Sequence, residues 1–253
     1  MKYSVCASAV FSKMPLAEAI REIARIGYPA CEFWSWWDQD MDAVAEAVRE
    51  TGLEVAGICT KMVPLNDPLR REEYVQGLRE SVCAAKRIGC GRLISQVGQA
   101  IEGMDRRAQR DSIVEGLRAC APILEEENIE LVIEPLNTLV DHIGYYLDRS
   151  EEAFEIIREV NSPKVKVLFD VYHQQITEGN LIENMTRNVS LIGHIHIAGN
   201  PGRHEPHKNS EVHYPTVLAA LKQASWHGYA GLEYFPLEDA RQGLEEIRKV
   251  MPL

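Results

Sequence analysis

Metal-capable side chains end four consecutive apolar segments in the second half of the chain. These segments are Leu131–Glu134, Val165–Asp170, Ile192–His196 and Gly231–Glu233. If each segment is a strand of one parallel barrel, all four carboxyl ends open on the same face and their last side chains converge there. Three carboxylates and one imidazole suit Mn²⁺, Mg²⁺ or Co²⁺ better than a structural zinc site rich in thiolates. We therefore predict one divalent cation bound by Glu134, Asp170, His196 and Glu233.

Each of these residues also has an ordinary explanation when it is taken alone. A carboxylate at the end of a strand is often a surface residue, and a single histidine is often a hydrogen-bonded structural residue. Random surface polarity rarely places a metal-capable residue at the end of four successive strands, so the joint pattern favours a metal site. His194 and His196 are two residues apart and point to the same side of a strand. We predict His196 as the ligand and His194 as its orienting partner one layer deeper.

Short apolar runs alternate with longer segments of helical periodicity along the whole chain. The predicted strands are Tyr3–Ala7, Ala30–Trp34, Leu53–Ile58, Arg92–Gln96, Glu130–Glu134, Val165–Asp170, Ile192–Ile197 and Gly231–Tyr234. The predicted helices are Pro15–Ile26, Met41–Thr51, Arg71–Ile88, Asp105–Glu127, Ser150–Val160, Asn180–Asn188, Tyr214–Trp226 and Leu237–Val250. Strands that are each followed by one helix indicate an α/β fold, a (β/α)₈ TIM barrel, as a single domain over residues 1–253. An open doubly wound sheet is the rival, but it often carries an early Gly-rich turn that this chain lacks.

The composition limits the classes of partner. Acidic residues outnumber basic ones by 38 to 27 in the 253 residues, and the formal net charge of −11 disfavours nucleic-acid binding. The N-terminal residues show no secretion signal, and no apolar run is long enough for a membrane span. The six cysteines form no Cys-x-x-Cys pair, so we expect free thiols in a reducing cytosol. We therefore expect a cytoplasmic enzyme that acts on a small molecule.

Further side chains near the predicted strand ends are candidates for substrate binding. The segment after strand 2 places Glu32, Trp34 and two more tryptophans beside the mouth of the barrel, where indoles pack well against the C–H faces of sugars. His173 is a candidate donor to a substrate oxygen at the rim. Arg203 lies in the long loop after strand 7 and is a candidate for binding an anionic or hydroxyl-rich end of the substrate. The long loops after strands 3 and 7 are candidates for a lid.

The predicted metal site indicates a reaction type. An α-hydroxy carbonyl compound can chelate a divalent cation, which polarises the carbonyl and acidifies the adjacent C–H bond, so that an enediolate can form. Glu134 and Glu233 approach from strands 5 and 8 and would serve as the acid/base pair. The proton returns either to the other carbon, which is isomerisation, or to the opposite face of the same carbon, which is epimerisation. The residues leave both outcomes open.

The order of these residues resembles a known superfamily, the xylose-isomerase-like barrels of sugar isomerases and epimerases. The resemblance is carried by Glu134, Asp170, His173, His196 within Gly-His-Ile-His, and Glu233. It covers essentially the whole chain, and it implies a single divalent metal with two glutamates as the acid/base pair. Its ketose 3-epimerase branch implies that His173 and Arg203 contact the substrate. The resemblance also implies a homo-oligomer, either a dimer or a tetramer.

Two segments are similar to the hydroxypyruvate isomerase branch of that superfamily. They are Ile133–Asn137 and Ala198–Pro206, of which the Pro-Gly-Arg-His-Glu-Pro sequence is the most specific piece. The chain departs from that branch between Asn137 and Tyr145, where an expected arginine-bearing loop is missing, so a substrate other than hydroxypyruvate stays open. The alternatives are a ketose 3-epimerase with the same ligands, a barrel that binds sugar without catalysis, and an apurinic-site endonuclease, which the charge of −11 disfavours.

Overall fold

The computed structural model describes residues 1–252. Eight parallel strands follow one another around a closed barrel, in which β8 pairs with β1. The strands are β1 (Lys2–Cys6), β2 (Ala30–Phe33), β3 (Glu54–Cys59), β4 (Arg92–Ser95), β5 (Glu130–Ile133), β6 (Val165–Asp170), β7 (Ile192–Ile197) and β8 (Tyr229–Leu232). This architecture confirms the predicted (β/α)₈ TIM barrel.

Ten α-helices are described among residues 1–252, together with two short 3₁₀ helices. They are α1 (Ala7–Val10), α2 (Leu16–Ile26), α3 (Met41–Thr51), α4 (Arg71–Arg87), α5 (Arg106–Glu127), α6 (Ser150–Val160), α7 (Val171–Thr177), α8 (Leu181–Arg187), α9 (Tyr214–Gln223) and α10 (Ala240–Val250). Two of them, α1 and α7, are additional to the predicted set, so β1 and β6 are each followed by two helices. The predicted eighth strand is wrong by two residues, because the ladder with β1 begins at Tyr229.

Inside the barrel, an apolar layer lies beneath the polar ends of the strands. Cys59, Ile94, Val132 and Leu168 form a buried apolar cluster, and Trp34 packs against it. The metal-capable residues predicted on β5 and β6 lie two positions beyond Val132 and Leu168. Because side chains alternate along a strand, these residues point to the same inner side, one layer higher. The alternation of side chains along each strand therefore places the predicted ligands directly above the apolar layer, at the open end of the barrel.

The register between β6 and β7 contains an irregularity that sets the level of the histidines. Val167 pairs with Ile192, but the next residue, Leu168, pairs with His194, so Gly193 is an extra residue on β7. This shift brings His196 directly opposite Asp170. A Cβ atom at Gly193 would lie 2.5 Å from a carboxylate oxygen of Glu130 and 2.7 Å from a methyl group of Val132. Only glycine fits this bulge without displacing its neighbours.

Both long loops at the mouth are tied to the barrel. In the loop after β3, Leu65 N–H and Asn66 N–H donate to the carbonyl of Val97 over 2.8 and 3.1 Å, and Asn66 is fully buried. In the loop after β7, the buried carboxylate of Glu205 accepts hydrogen bonds from the backbone N–H of Leu237. These contacts place both loops as walls beside the strand ends.

Two further observations concern the described residues as a whole. All six cysteines are free thiols, five of them buried and one, Cys83, exposed. A search of residues 1–252 finds no helix that is both long and apolar enough to cross a membrane.

The substitution Gly193→Ala is expected to destabilise the protein by about 1–3 kcal/mol, because the added methyl group overpacks the bulge against β5. Urea denaturation followed by circular dichroism measures this change. Gly91→Ala is the matched control, since nothing lies within 4 Å of a Cβ atom built there. Equal stability of the two variants would contradict the role assigned to the bulge.

Candidate metal centre and active site

The structure brings together the four residues predicted as metal ligands. One potential ligand atom from each of Glu134, Asp170, His196 and Glu233 lies within 4.8 Å of the corresponding atoms of the other three. His196 Nδ1 is 3.3 Å from an oxygen of Glu134 and 3.5 Å from an oxygen of Glu233. All four side chains are buried. Glu134 and Glu233 follow β5 and β8 immediately, Asp170 ends β6, and His196 is the penultimate residue of β7.

The donor set fits a divalent cation. Three carboxylates share a buried space in which their charges repel one another, and Arg203, bonded to Glu233, is the cation that faces them. Glu134 Oε1 and His196 Nδ1 are buried without a hydrogen-bond partner, although such atoms are normally paired. Oxygen donors with one imidazole nitrogen are ligands that Mn²⁺ and Mg²⁺ accept. A cation at this position would satisfy the unpaired atoms and offset the repulsion.

The two glutamates have opposite electrostatic environments. Burial raises the pKa of Glu134 to about 7, and the charges of Glu233 and Asp170 add to this rise. Burial acts in the same direction on Glu233, but the charges of His196 and Arg203 outweigh it and hold the pKa of Glu233 well below its ordinary value. Trp34 Nε1 also donates a 2.7 Å hydrogen bond to Glu233 Oε1. The ionised form of Glu233 is therefore stabilised by three neighbours, whereas the pKa of Glu134 lies near neutral pH.

Asp170 fixes the start of α7 and the position of His173. Its Oδ1 accepts a 3.0 Å hydrogen bond from His173 N–H as the N-cap of the helix. Asn137 Oδ1 accepts from two backbone N–H groups, so its Nδ2 donates to His173 Nδ1 over 2.6 Å. This contact leaves the hydrogen on His173 Nε2, which lies 3.6 Å from Asp170 Oδ2 and has no hydrogen-bond partner. His173 is thus oriented as an N–H donor beside the cluster.

A cavity of about 320 Å³ lies directly above the cluster. Its lining comprises Trp34, Cys59, Met62, Ile94, Gln96, Glu134, Leu136, His142, His196, Arg203, Glu233 and Phe235. Arg203 has a left-handed backbone with φ of 57°, and its guanidinium lies 5.5 Å from the ring of Tyr172 and 5.7 Å from that of Phe235. These two rings and the carboxylate of Glu233 fix the guanidinium at the wall of the cavity.

Comparison with known proteins places this geometry in a family. The family model described as "Xylose isomerase-like TIM barrel" matches residues 20–250 of this chain. The chain belongs to this family. The resemblance deduced from the motif order is therefore confirmed at the level of the family, and the assignment of individual site residues stays a proposal.

Two curated relatives and one solved structure are similar to this xylose isomerase-like barrel. A protein from Danio rerio, provisionally named a hydroxypyruvate isomerase, is 32% identical over 98% of this chain and 95% of its own length. Hydroxypyruvate isomerase from Escherichia coli is 28% identical over 96% of this chain and 97% of its own. A crystal structure from Brucella melitensis, named AP endonuclease, family 2, is 28% identical with a TM-score of 0.90 and covers 99% of both chains.

Two of the residues predicted to bind substrate are absent from the lining of the cavity. His173 is fully buried, with its Nε2 3.6 Å from Asp170 Oδ2. Glu32 does not line the cavity of this xylose isomerase-like barrel: it is 1% exposed and lies beneath His196, with an oxygen 3.2 Å from His196 Nε2. It is an interior residue of β2, and the inward-facing position puts it one layer below Trp34. Of the three tryptophans, Trp34 lines the cavity, whereas Trp36 and Trp37 are not among its lining residues and contact each other.

Several lining residues of the cavity were missed in the sequence. Gln96 follows β4 at the same end of the barrel as the candidate ligands, and its position as the last residue of the predicted strand Arg92–Gln96 was an available signal. His142 lies in the loop after β5, with its ring centroid 5.2 Å from that of His173. Loop residues such as His142 follow no periodic pattern, so nothing in the sequence marked it.

In metal-free protein, Glu134 is expected to lower stability as the pH rises. The pKa of its carboxyl group is about 7 in the folded state, against an ordinary value of 4.5. Between these values the unfolded state has released the proton and the folded state still holds it, so the free energy of unfolding falls as the pH rises through this range. We therefore compare the free energies of unfolding of Glu134→Gln and of the unmodified protein in EDTA. The variant should gain up to about 3 kcal/mol relative to the unmodified protein between pH 5 and pH 8.

Urea unfolding at each pH measures this difference. Glu130→Gln is the control, because the pKa of Glu130 is lowered by Arg92 and Lys166 against the effect of burial and its substitution should give no such gain. A stability difference for Glu134→Gln that does not change with pH would contradict the assignment.

Proposed function

We propose that this protein is a divalent-metal-dependent isomerase that interconverts α-hydroxy carbonyl compounds by proton transfer through an enediolate. The observation that carries the proposal is the pair Glu134 and Glu233, which flank His196 at the floor of the cavity. Their environments raise the pKa of Glu134 and lower the pKa of Glu233, as expected of groups that exchange the roles of acid and base. Its relatives named hydroxypyruvate isomerase support the same reaction class.

In this proposal Glu134, Asp170, His196 and Glu233 would hold the metal ion. The ion would supply charge stabilisation for an enediolate and lower the pKa of the C–H bond next to the carbonyl. Glu134 and Glu233 transfer the proton, one removing it from the substrate carbon and the other returning it. His173 donates through Nε2 to a substrate oxygen, and Trp34 excludes water from one side.

Two other activities receive less support from the site. A three-metal nuclease centre would need further ligands, and the only other metal-capable group within residues 1–252 shares His196 with the first one. The net charge of −11 also repels a phosphate backbone. A barrel without catalytic activity would not need both glutamates at the cavity floor. We therefore retain catalysis on a small molecule.

Epimerisation of an uncharged ketose is the second candidate, and the charge of the cavity favours it. Arg203 is the one arginine or lysine among the lining residues described, and it is bonded to Glu233. Burial and Arg203 lower the pKa of His142, so its neutral form is favoured. A substrate carboxylate would find no free cation on the wall. A neighbouring cavity of about 390 Å³ shares Met62 and Gln96 with this one and would accommodate a longer sugar.

Proton NMR in D₂O tests the proposal with a panel of hydroxypyruvate, tartronate semialdehyde and ketoses of four to six carbons. The expected result is deuterium at a carbon next to the carbonyl, dependent on added Mn²⁺ or Mg²⁺. The product then separates the two candidates, since isomerisation moves the carbonyl and epimerisation inverts one centre. Metal-loaded protein that exchanges no proton of any compound would oppose both candidates.

Glu134→Gln and Glu233→Gln should each reduce the rate of exchange by at least about 10²-fold, the range in which general acid–base groups contribute. The rate of deuterium incorporation measures this at saturating metal and substrate. Glu130→Gln is the matched control, because Glu130 pairs with Arg92 and Lys166 at the opposite end of β5. A loss of less than about tenfold for either glutamine variant would contradict the acid/base assignment.

A further inference from the structure

A buried carboxylate lies directly beneath the candidate metal centre and contacts both histidines of β7. Glu32 Oε2 is 2.8 Å from His194 Nε2, and Glu32 Oε1 is 3.2 Å from His196 Nε2. Ser4 Oγ donates a further 3.1 Å hydrogen bond to Glu32 Oε2. Glu32 is 1% exposed, and His194 is fully buried. A carboxylate in this position is retained only when its neighbours compensate for its burial.

The contact with Glu32 determines which nitrogen of His196 is available to a cation. An ionised carboxylate can only accept hydrogen bonds, and Glu32 Oε1 is the carboxylate oxygen that lies nearest to a nitrogen of His196, at 3.2 Å from Nε2. We therefore place the hydrogen of a neutral His196 ring on Nε2, facing Glu32. The lone pair then lies on Nδ1, which faces Glu134 and Glu233 at 3.3 and 3.5 Å. A carboxylate behind a metal-binding histidine fixes the tautomer and the ring orientation, and raises the basicity of the ligand nitrogen.

The packing around Glu32 leaves it no alternative position. A Cβ atom at Gly231 on β8 would lie 2.2 Å from Glu32 Oε1 and 2.7 Å from His196 Cδ2. Glycine at this position is therefore what allows the carboxylate to approach the imidazole ring. On the other side, the register between β2 and β3 shifts at Glu32, which pairs with Gly57. Bulges of this kind change the direction of a side chain.

We propose that Glu32 and His194 are positioning residues that set the tautomer and orientation of His196 and thereby strengthen cation binding by the cluster above. His194 holds Glu32 Oε2, which leaves Oε1 for His196 Nε2. This inference rests on the metal centre of the proposed function and adds two residues that are not among the four proposed ligands and do not line the cavity. It assigns to Glu32 a role in place of the substrate contact predicted from the sequence.

The test is a titration of metal-free protein with Mn²⁺ or Co²⁺ by calorimetry, for the unmodified protein, Glu32→Met and Glu32→Gln. Methionine is similar in length but presents no oxygen to His196 Nε2, whereas glutamine keeps one carbonyl oxygen there. Loss of a carboxylate behind a histidine ligand typically weakens metal binding by roughly 10- to 100-fold. We expect that loss for Glu32→Met and a smaller one for Glu32→Gln, with no change for the control Glu130→Gln.

The tautomer of His196 is a second measurement that a purely structural role would not change. Long-range ¹H–¹⁵N NMR of the unmodified metal-free protein, at a pH high enough for the His196 ring to be neutral, should show the hydrogen on Nε2, and Glu32→Met should show a mixture of tautomers. Cobalt absorption spectra should shift in the same variant if the ring is reoriented. Circular dichroism identifies variants that fail to fold. If Glu32→Met is one of them, the tautomer of His196 in the unmodified protein decides whether the positioning role of Glu32 stands.

The outcomes separate this inference from the proposed function. An unmodified protein that binds no divalent cation would oppose both the metal centre and the role of Glu32. Binding by the unmodified protein that is matched within about twofold by a folded Glu32→Met would overturn the positioning role alone, since a typical loss is at least roughly tenfold. Two bound ions that fall to one in the variant would also overturn it, because Glu32 would then be a ligand of a second site. A hydrogen on Nδ1 of the neutral His196 ring would have the same effect.

Discussion

The mutual repulsion of three buried carboxylates is the constraint on which the candidate site depends. Glu134, Asp170 and Glu233 share a space a few ångströms across with His196, and the closed barrel gives them no route to solvent-exposed positions. Such a cluster is tolerated only when positive charge offsets it. Arg203 supplies part of that charge through Glu233, and a divalent cation would supply the rest. The architecture around the cluster serves to hold these groups in place.

The closed barrel brings the inward-facing side chains at the ends of neighbouring strands together at this cluster. Apolar residues such as Val132 and Leu168 form the support, and the next inward-facing positions on the same strands carry the carboxylates. The extra residue Gly193 then sets the level of β7, so that His196 lies opposite Asp170. Beneath them, Glu32 and His194 fill the polar part of the interior. The candidate ligands, the apolar layer beneath them and the bulge at Gly193 therefore depend on one another. An altered register on any of these strands would separate the candidate ligands.

The sequence was sufficient to predict the fold and the convergence of the four candidate ligands, because both follow local rules. Strand and helix periodicity predict eight βα units, and the end of a parallel strand predicts where Glu134 or Glu233 must lie. Two kinds of feature were beyond these rules. Glu32 was assigned to the cavity because its inward layer depends on the register with neighbouring strands. His142 was missed because a loop has no period, and its place is set by contacts with His173.

The most direct test of the candidate metal centre is anomalous diffraction from crystals grown with Mn²⁺. The expected result is one strong peak at the open end of the barrel, within roughly 2.0–2.4 Å of oxygens of Glu134, Asp170 and Glu233 and of His196 Nδ1. A fully occupied ion bound elsewhere, or at His196 Nε2, would contradict it. Crystals soaked to saturation that show no peak between the three carboxylates would contradict it equally.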